Sequence, residues 1–361
     1  MEGYHMKRFL FCLLIACLVI TFLITKGELE VKATTEFAPK PDELVVSTWG
    51  FNIDLLEKNI AQRFKDKYGI NIVFEFGDNS ARLTKLVAKK EAPVIDVVTL
   101  ALDFAFRAKR EGVLQPLDTE NVPNIAYIYN WAKDPLGDFY GVGYTVQTYK
   151  LAYRTDKIDP PISSWRDIWR PELKGRVTLP DLNTTYGPST LIIIAKAWGG
   201  SKENLEPGWQ KITELVETGA LLTAYKRSSE AINLFKMGEV WLSPIPSFAW
   251  AQLQDTGLPV AWVIPEEGLI GGLNVISVVK GTKNKYWAEK LIDFWLSEET
   301  QKIVAMDKLD SPANVRVKLP PEIAAVHAYG KEVEEAIIFD SAFVVDNMSQ
   351  WLDRWNNLLA K

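Results

Sequence analysis

From Glu43 onward the apolar positions switch between two periods. Leu44 to Thr48 (LVVST) reads as a strand, and Ile53, Leu56, Ile60 and Phe64 then recur at helical spacing as far as Tyr68. Ile70 to Phe76 predicts a second strand and Ser80 to Lys90 a second helix, with Asn79 placed to cap it. Asp96 to Leu100 (DVVTL) is a third, almost wholly apolar strand, followed by a helix that Asp103 opens and Gly112 stops. Short buried strands alternating with helices predict an α/β fold with a parallel sheet covered on both faces. Ligands of such sheets bind beyond the carboxyl ends of the strands. The segments leaving those ends hold Trp49 and Asn52, Asn79 and Ser80, and Ala101 and Asp103.

The stretch FYGVGYTVQTYKLAYR, Phe139 to Arg154, is a longer alternating strand with two early glycines, suited to pass from one lobe to another. A second α/β pattern follows, with strands at 176–179, 221–225 and 240–245 and helices near 189–198, 208–217 and 229–237. Pro259 to Pro265 and Leu273 to Val279 predict strands returning to the first lobe. From Trp287 the chain reads as helical, ending on Trp351, Trp355 and Leu358 at i, i+4 and i+7. The predicted organisation is a leader (1–33), a first lobe (34–143), a second lobe (144–262), and a return to the first lobe with C-terminal helices (263–361). No internal repeat or low-complexity segment interrupts it.

One short stretch resists assignment. EEGLIGGLNVIS places Gly271 and Gly272 side by side, then Asn274, where a strand is about to begin. Paired glycines there mean either a turn that needs positive φ or a backbone that something approaches closely.

The N-terminus bears on the compartment. Lys7 and Arg8 precede an apolar run from Phe9 to Thr25, and a polar stretch then ends in Val31-Lys32-Ala33. That is the build of a secretory signal peptide. The run is also at the lower limit for a membrane anchor, and Leu14-Ile15-Ala16-Cys17 resembles a lipoprotein cleavage box. Each option exports the rest of the chain. Both cysteines, Cys12 and Cys17, lie in the leader, so the remainder has no thiol for disulfides, nucleophiles or metal clusters. Of the two histidines His5 is in the leader. His327, in a helical pattern, is expected on or near a helix surface. Without residues 1–33 the net charge is −6, because four of the 41 basic and three of the 46 acidic residues go with them. A mildly acidic chain disfavours nucleic acid.

Catalytic motifs are sparse. There is no phosphate loop, no G-x-S-x-G elbow and no H-E-x-x-H. Asp66, Glu111, Glu217 and Glu289 read as solvated helix residues, whereas Asp103 and Asp181 sit at strand ends. An exported enzyme acting on carbohydrate through Asp103 and Asp181 is one alternative, since glycoside hydrolysis needs two facing carboxylates. A ligand-sensing receptor domain is another. A two-lobed exported protein without a catalytic set points instead to one that closes around a small solute. No cofactor and no metal are expected.

The chain resembles the extracellular solute-binding proteins of ABC importers, in the branch that includes the spermidine/putrescine-binding proteins. The resemblance runs from about Leu44 to Asn314 through STWGFN, IDVVTLALDFAFRAKREGVLQPLD, SSWRDIWRPELKGRVTLPD, FKMGEVWLSPIPS, VAWVIPEEG and DSPAN. It implies the two-lobe, type II "Venus flytrap" fold of periplasmic binding proteins, with ligand between the lobes, a monomer, and delivery to a membrane permease. Trp49 matches the family aromatic that stacks on the ligand. Asn52 stands where the polyamine binders have a tyrosine, and Ala101 and Asp103 replace a serine and an aromatic. Pro246 and Gly272 occupy positions of cage tryptophans, Asn274 that of the aspartate facing the ligand ammonium, and Asp310 that of an aromatic. Near Asp181, Leu182 and Thr185 stand in place of family acids. The pocket is therefore expected to be wider and less anionic at the Gly272–Asn274 wall. Asp103, Asp181 and Asp310 offer a rearranged cation site, and Tyr186 and Trp250 are either replacement aromatics or ordinary core. Asn79, Ser80, Thr148 and Ser247 complete the candidate set with an amide and hydroxyls.

Overall fold

The computed structural model describes residues 38–360. Ten strands form one continuous sheet: β1 (Glu43–Thr48), β2 (Asn71–Phe76), β3 (Val97–Ala101), β4 (Leu114–Gln115), β5 (Val142–Arg154), β6 (Val177–Pro180), β7 (Leu221–Tyr225), β8 (Leu242–Pro246), β9 (Val260–Val263) and β10 (Ile270–Val279). Their order is β2-β1-β3-β10-β5-β8-β6-β7, with β4 also on β10 and β9 also on β5. β1 runs parallel to β2 and β3, and β6 runs parallel to β7 and β8, as buried apolar strands joined by helices require. β5 and β10 pair antiparallel with each other and join the two parallel groups.

Packing divides each joining strand in two. Val142, Tyr144 and Val146 of β5 and Leu273, Val275 and Val278 of β10 belong to a first hydrophobic core, with Leu44, Phe64, Leu100 and Trp295. Tyr149, Leu151 and Tyr153 of β5 and Ile270 of β10 belong to a second, with Trp165, Leu179, Leu191 and Trp209. The boundary between the cores falls at Gln147–Thr148 on one strand and Gly271–Gly272 on the other. A smaller cluster around Phe235, Ile245 and Trp250 adjoins β8.

Several expectations change. β9 pairs with Leu151–Arg154 at the far end of β5 and so stays in the second lobe, while β10 makes the return. The helices Lys285–Leu296 and Glu298–Met306 serve the first core, but the last helix, Ser341–Leu359, places Val344, Trp351, Trp355 and Leu358 in the second. That helix is pinned on both sides, by Asp346 to Arg110 and by Arg354 to Glu206 at 2.7 Å. Asp78, one residue before the expected cap, is the N-cap of the helix Asn79–Ala88 and accepts from the Ala81 amide at 2.8 Å. Glu289 is buried rather than solvated, accepting from the Asp118 amide and the Asn121 side chain, both at 2.8 Å, and pairing with Lys285. His327 is buried in a turn, held by Ser311 at 3.1 Å and the Ala305 carbonyl at 2.8 Å, and burial lowers its pKa. The apolar leader run lies outside the described residues. Among the described residues no helix is long and apolar enough to cross a membrane.

Candidate functional site

The paired glycines lie inside β10, and neither has positive φ, so the turn reading fails. Close approach explains both. A Cβ on Gly271 would lie 2.6 Å from Ile338 and 2.8 Å from Ala336, and one on Gly272 would lie 2.9 Å from the Tyr186 hydroxyl. Successive side chains of a strand point to opposite faces, so these contacts label the faces. The Gly271 face, shared with Thr148, meets the C-terminal segment. The Gly272 face, shared with Gln147 and Asn274, meets Tyr186. Tyr186 stacks on Tyr149 at 4.4 Å between centroids and donates to Gln147 at 2.6 Å. Tyr186, from the second core, thus occupies the space beside Gly272.

On that same face a connected set of polar groups crosses the carboxyl ends of the first-lobe strands. The Arg82 guanidinium lies 4.0 Å from the Trp49 ring centre and donates to the Thr99 carbonyl and, at 3.1 Å, to Asn79 Oδ1. Asn79 Oδ1 also accepts from the Ala101 amide at 3.1 Å, and Ala101 is the β3 partner of Asn274. Thr99 donates to Thr48 at 2.8 Å. Tyr144 is buried beside them, its ring edge-on to Trp295 at 5.4 Å between centroids. Its pKa is raised by burial first and by the Asp310 charge second, against an opposing pull from Arg82. Arg82 is 2% exposed, and burial brings it down to about 10. Burial pushes Asp310 up to about 7, with Thr145 as a hydrogen-bond partner. An aromatic face, a buried guanidinium and two amides thus lie together where α/β sheets hold ligands.

A family model described as bacterial extracellular solute-binding protein matches residues 59–330. The chain belongs to that family. This solute-binding protein is 24% identical over 312 residues to the spermidine/putrescine-binding periplasmic protein of Escherichia coli, covering 84% of this chain and 87% of that one. It is similar to a crystal structure of an ABC transporter from Clostridium perfringens, with a TM-score of 0.81 and 33% identity over 88% of this chain and 99% of that one. The spermidine/putrescine ABC transporter substrate-binding protein of Streptococcus pneumoniae shares the fold at a TM-score of 0.71 and 21% identity, over 89% and 98% of the two chains. The two-lobe fold is that of periplasmic solute-binding proteins, and the family serves transport rather than catalysis. Periplasmic relatives imply export of this solute-binding protein.

Its sequence-predicted site residues separate into two groups. Trp49, Asn79, Ala101 and Asn274 come together at the strand ends, Gly272 meets Tyr186 on the same strand face, and Asp310 precedes Ser311, whose carbonyl accepts from the Thr145 hydroxyl at 2.9 Å. Asn52 (φ 49°) and Ser80 are exposed beside them. Thr148 and Ser247 are buried on the Gly271 side, where Ser247 Oγ accepts the Thr148 amide at 3.2 Å. Strand parity, which puts Gln147 on the tyrosine side, excludes Thr148 from it. Asp103 lies against Ser341 at the start of the last helix, its pKa raised by burial. Asp181 accepts from Trp355 Nε1 at 3.1 Å and from the Asn183 amide at 3.0 Å, so the last helix engages it. The two aspartates of the enzyme alternative thus serve separate contacts. Pro246 ends β8, and Trp250 is core, stacked on Trp262 at 5.4 Å. Among the described residues no group of three or more His, Cys, Asp or Glu side chains is placed to hold a metal ion. A hollow of about 530 Å³ lined by Val122, Ile125, Lys133 and Phe139 takes none of its walls from the strand ends. Arg82, Tyr144 and Gln147 are additions to the sequence-predicted set. Their only sequence signal is position: Arg82 is one turn into the helix that Asp78 caps, and Tyr144 and Gln147 lie on the crossing strand.

Proposed function

We propose that this chain is the capture subunit of an ABC importer, holding a small polar organic solute between its lobes and presenting it to a permease in the membrane. The observation that carries the reading is the connected set Trp49–Arg82–Asn79–Ala101, with Asn274 paired to Ala101, at the strand ends, facing Tyr186 from the second lobe across the two joining strands. Solute stacked on Trp49 and hydrogen-bonded to Asn79 and Asn274 would favour the closed arrangement by its extra contacts there. Both walls come from one chain, so a monomer suffices. Asn52 and Ser80, both exposed, form the rim. Residues 1–33 serve as the export leader, either removed or kept as an anchor. The relatives of Escherichia coli and Streptococcus pneumoniae are named for spermidine and putrescine, and Asn274 in place of an acid argues against polyamines here.

The test is binding without turnover. A ligand-stripped protein is screened by thermal shift against small polar solutes, and the solution is then analysed for product. A stabilising solute recovered unchanged supports capture, and conversion of that solute would replace it with an enzyme.

A further inference from the structure

Arg82 spends all its nitrogens inside the cleft floor. Nε donates to the Asp78 carbonyl at 3.3 Å, Nη1 to the Thr99 carbonyl and to Thr99 Oγ1 at 3.4 Å, and Nη2 to Asn79 Oδ1 at 3.1 Å. The guanidinium also lies 4.0 Å from the centre of the Trp49 ring. One side chain thereby ties together Trp49 just after β1, Thr99 within β3, and the first turn of the helix Asn79–Ala88. Every oxygen it bonds is neutral, so burying its charge there is costly. An apolar residue of similar length would fill the space without that cost. What arginine adds is a rigid fork of donors and a charge beneath an aromatic ring.

Both additions shape the side of the floor that meets a solute. Asn79 Oδ1 accepts from the Ala101 amide as well, at 3.1 Å. Its two partners are donors only, so the side-chain oxygen faces them and Nδ2 is turned away, where it meets no acceptor among the described residues. Asn79 is half-buried, which leaves that NH2 group on offer. Trp49 is half-buried too, with the guanidinium on one face. Burial lowers Arg82 only to about 10, so it stays protonated at neutral pH. An ammonium stacked on the indole would face this like charge across a single ring, which offsets the attraction of the π system. We propose that Arg82 is a positioning residue that sets the class of solute: it braces Trp49 and turns the Asn79 NH2 outward, so that the floor seats a carbonyl, hydroxyl or carboxylate oxygen on Asn79 with carbon skeleton on Trp49, and turns an ammonium away. This deepens the reading of the cleft as the solute site and rests on it.

Fluorescence quenching reads the charge under Trp49 without any solute. The Trp49 signal is the difference between each protein and its Trp49→Phe counterpart, quenched by iodide and by caesium at equal ionic strength. The iodide-to-caesium ratio should be at least about threefold higher in the wild-type protein and in Arg82→Lys than in Arg82→Met. Loosened packing alone would admit both ions and leave the ratio unchanged. Arg82→Gln, which keeps a donor and removes the charge, gives the same comparison if Arg82→Met does not fold. An unchanged ratio overturns the proposal. The solute class is read by calorimetric titration with putrescine and spermidine, and by native mass spectrometry of ligand-stripped protein exposed to a bacterial metabolite extract. Neither polyamine should bind below about 1 mM, and the retained compound should carry an acceptor oxygen and bind at least about tenfold more weakly to Asn79→Ala and Arg82→Met, with recovery to within about threefold in Arg82→Lys. Tight binding of a polyamine, or retention of a compound without oxygen, overturns the proposal and leaves solute capture intact. Retention of nothing overturns capture itself, and the solute class with it.

Discussion

The hydroxyl of Tyr186 stands 2.9 Å from where a Cβ on Gly272 would be, so the second lobe's tyrosine occupies the place of a first-lobe side chain. Tyr186 is fixed there by stacking on Tyr149 and by its bond to Gln147, and it cannot give way cheaply. Gly272→Trp should therefore destabilise the fold by about 1–3 kcal/mol, the usual cost of overpacking. In a Tyr186→Ala background the same substitution should cost much less. Urea unfolding of the four proteins measures the coupling, and additive effects would refute the exchange of one aromatic for the other.

Asp310 links the site to pH. Its carboxyl sits at about 7 in the folded chain because of burial, against about 3.9 in an unfolded one. Between those values the folded state keeps a proton that the unfolded state has lost, so stability should fall as pH rises through that window. Asp310→Asn should remove the slope and raise stability near neutral pH, on the order of 1–2 kcal/mol. Unfolding curves for both proteins at about pH 5 and about pH 8 decide it. Parallel slopes would mean that Asp310 titrates normally.

The last helix should be worth far more through its buried face than through its ion pairs. Trp355→Ala removes a core side chain and the donor to Asp181, and should cost about 3–5 kcal/mol. Glu206→Gln breaks only the half-exposed pair with Arg354, and should cost under about 1 kcal/mol. Thermal unfolding of the two variants gives the comparison, and similar losses would contradict the burial argument.

Thr148 offers a negative control. Its side chain is on the sheet face opposite Tyr186, so Thr148→Val should leave solute affinity within about twofold, whereas Asn274→Ala, at the site, should weaken it by about 1–2 kcal/mol through loss of a hydrogen bond. Calorimetric titration separates them. A Thr148 variant as impaired as the Asn274 variant would put the site on the wrong face.

The first three strands and the long crossing strand were legible because buried parallel strands are short apolar runs and β5 alternates over many residues. The family resemblance brought Trp49, Gly272, Asn274 and Asp310 into view. What pattern could not supply was long-range packing. Arg82 sits in RLTK, which reads as a solvated helix turn, and only its contact with Trp49 from another strand makes it part of a floor. Gly272 signalled close approach, but the approaching group comes from the far lobe. Thr148 and Ser247 lie on the face opposite Tyr186, and a strand's period of two separates its faces without saying which one bears the cleft. Asp181 looked available at a strand end until the last helix, expected on the first lobe, brought Trp355 to it.

The most direct measurement is the affinity of Trp49→Ala for the solute that the wild-type protein retains. Trp49 is half-buried and covers Arg82 at the strand ends, so removing its ring strips the floor of its aromatic face. A loss of at least about thirtyfold, some 2 kcal/mol, in a variant that still unfolds cooperatively is the predicted result. An unchanged dissociation constant would contradict the placement of solute capture in this cleft.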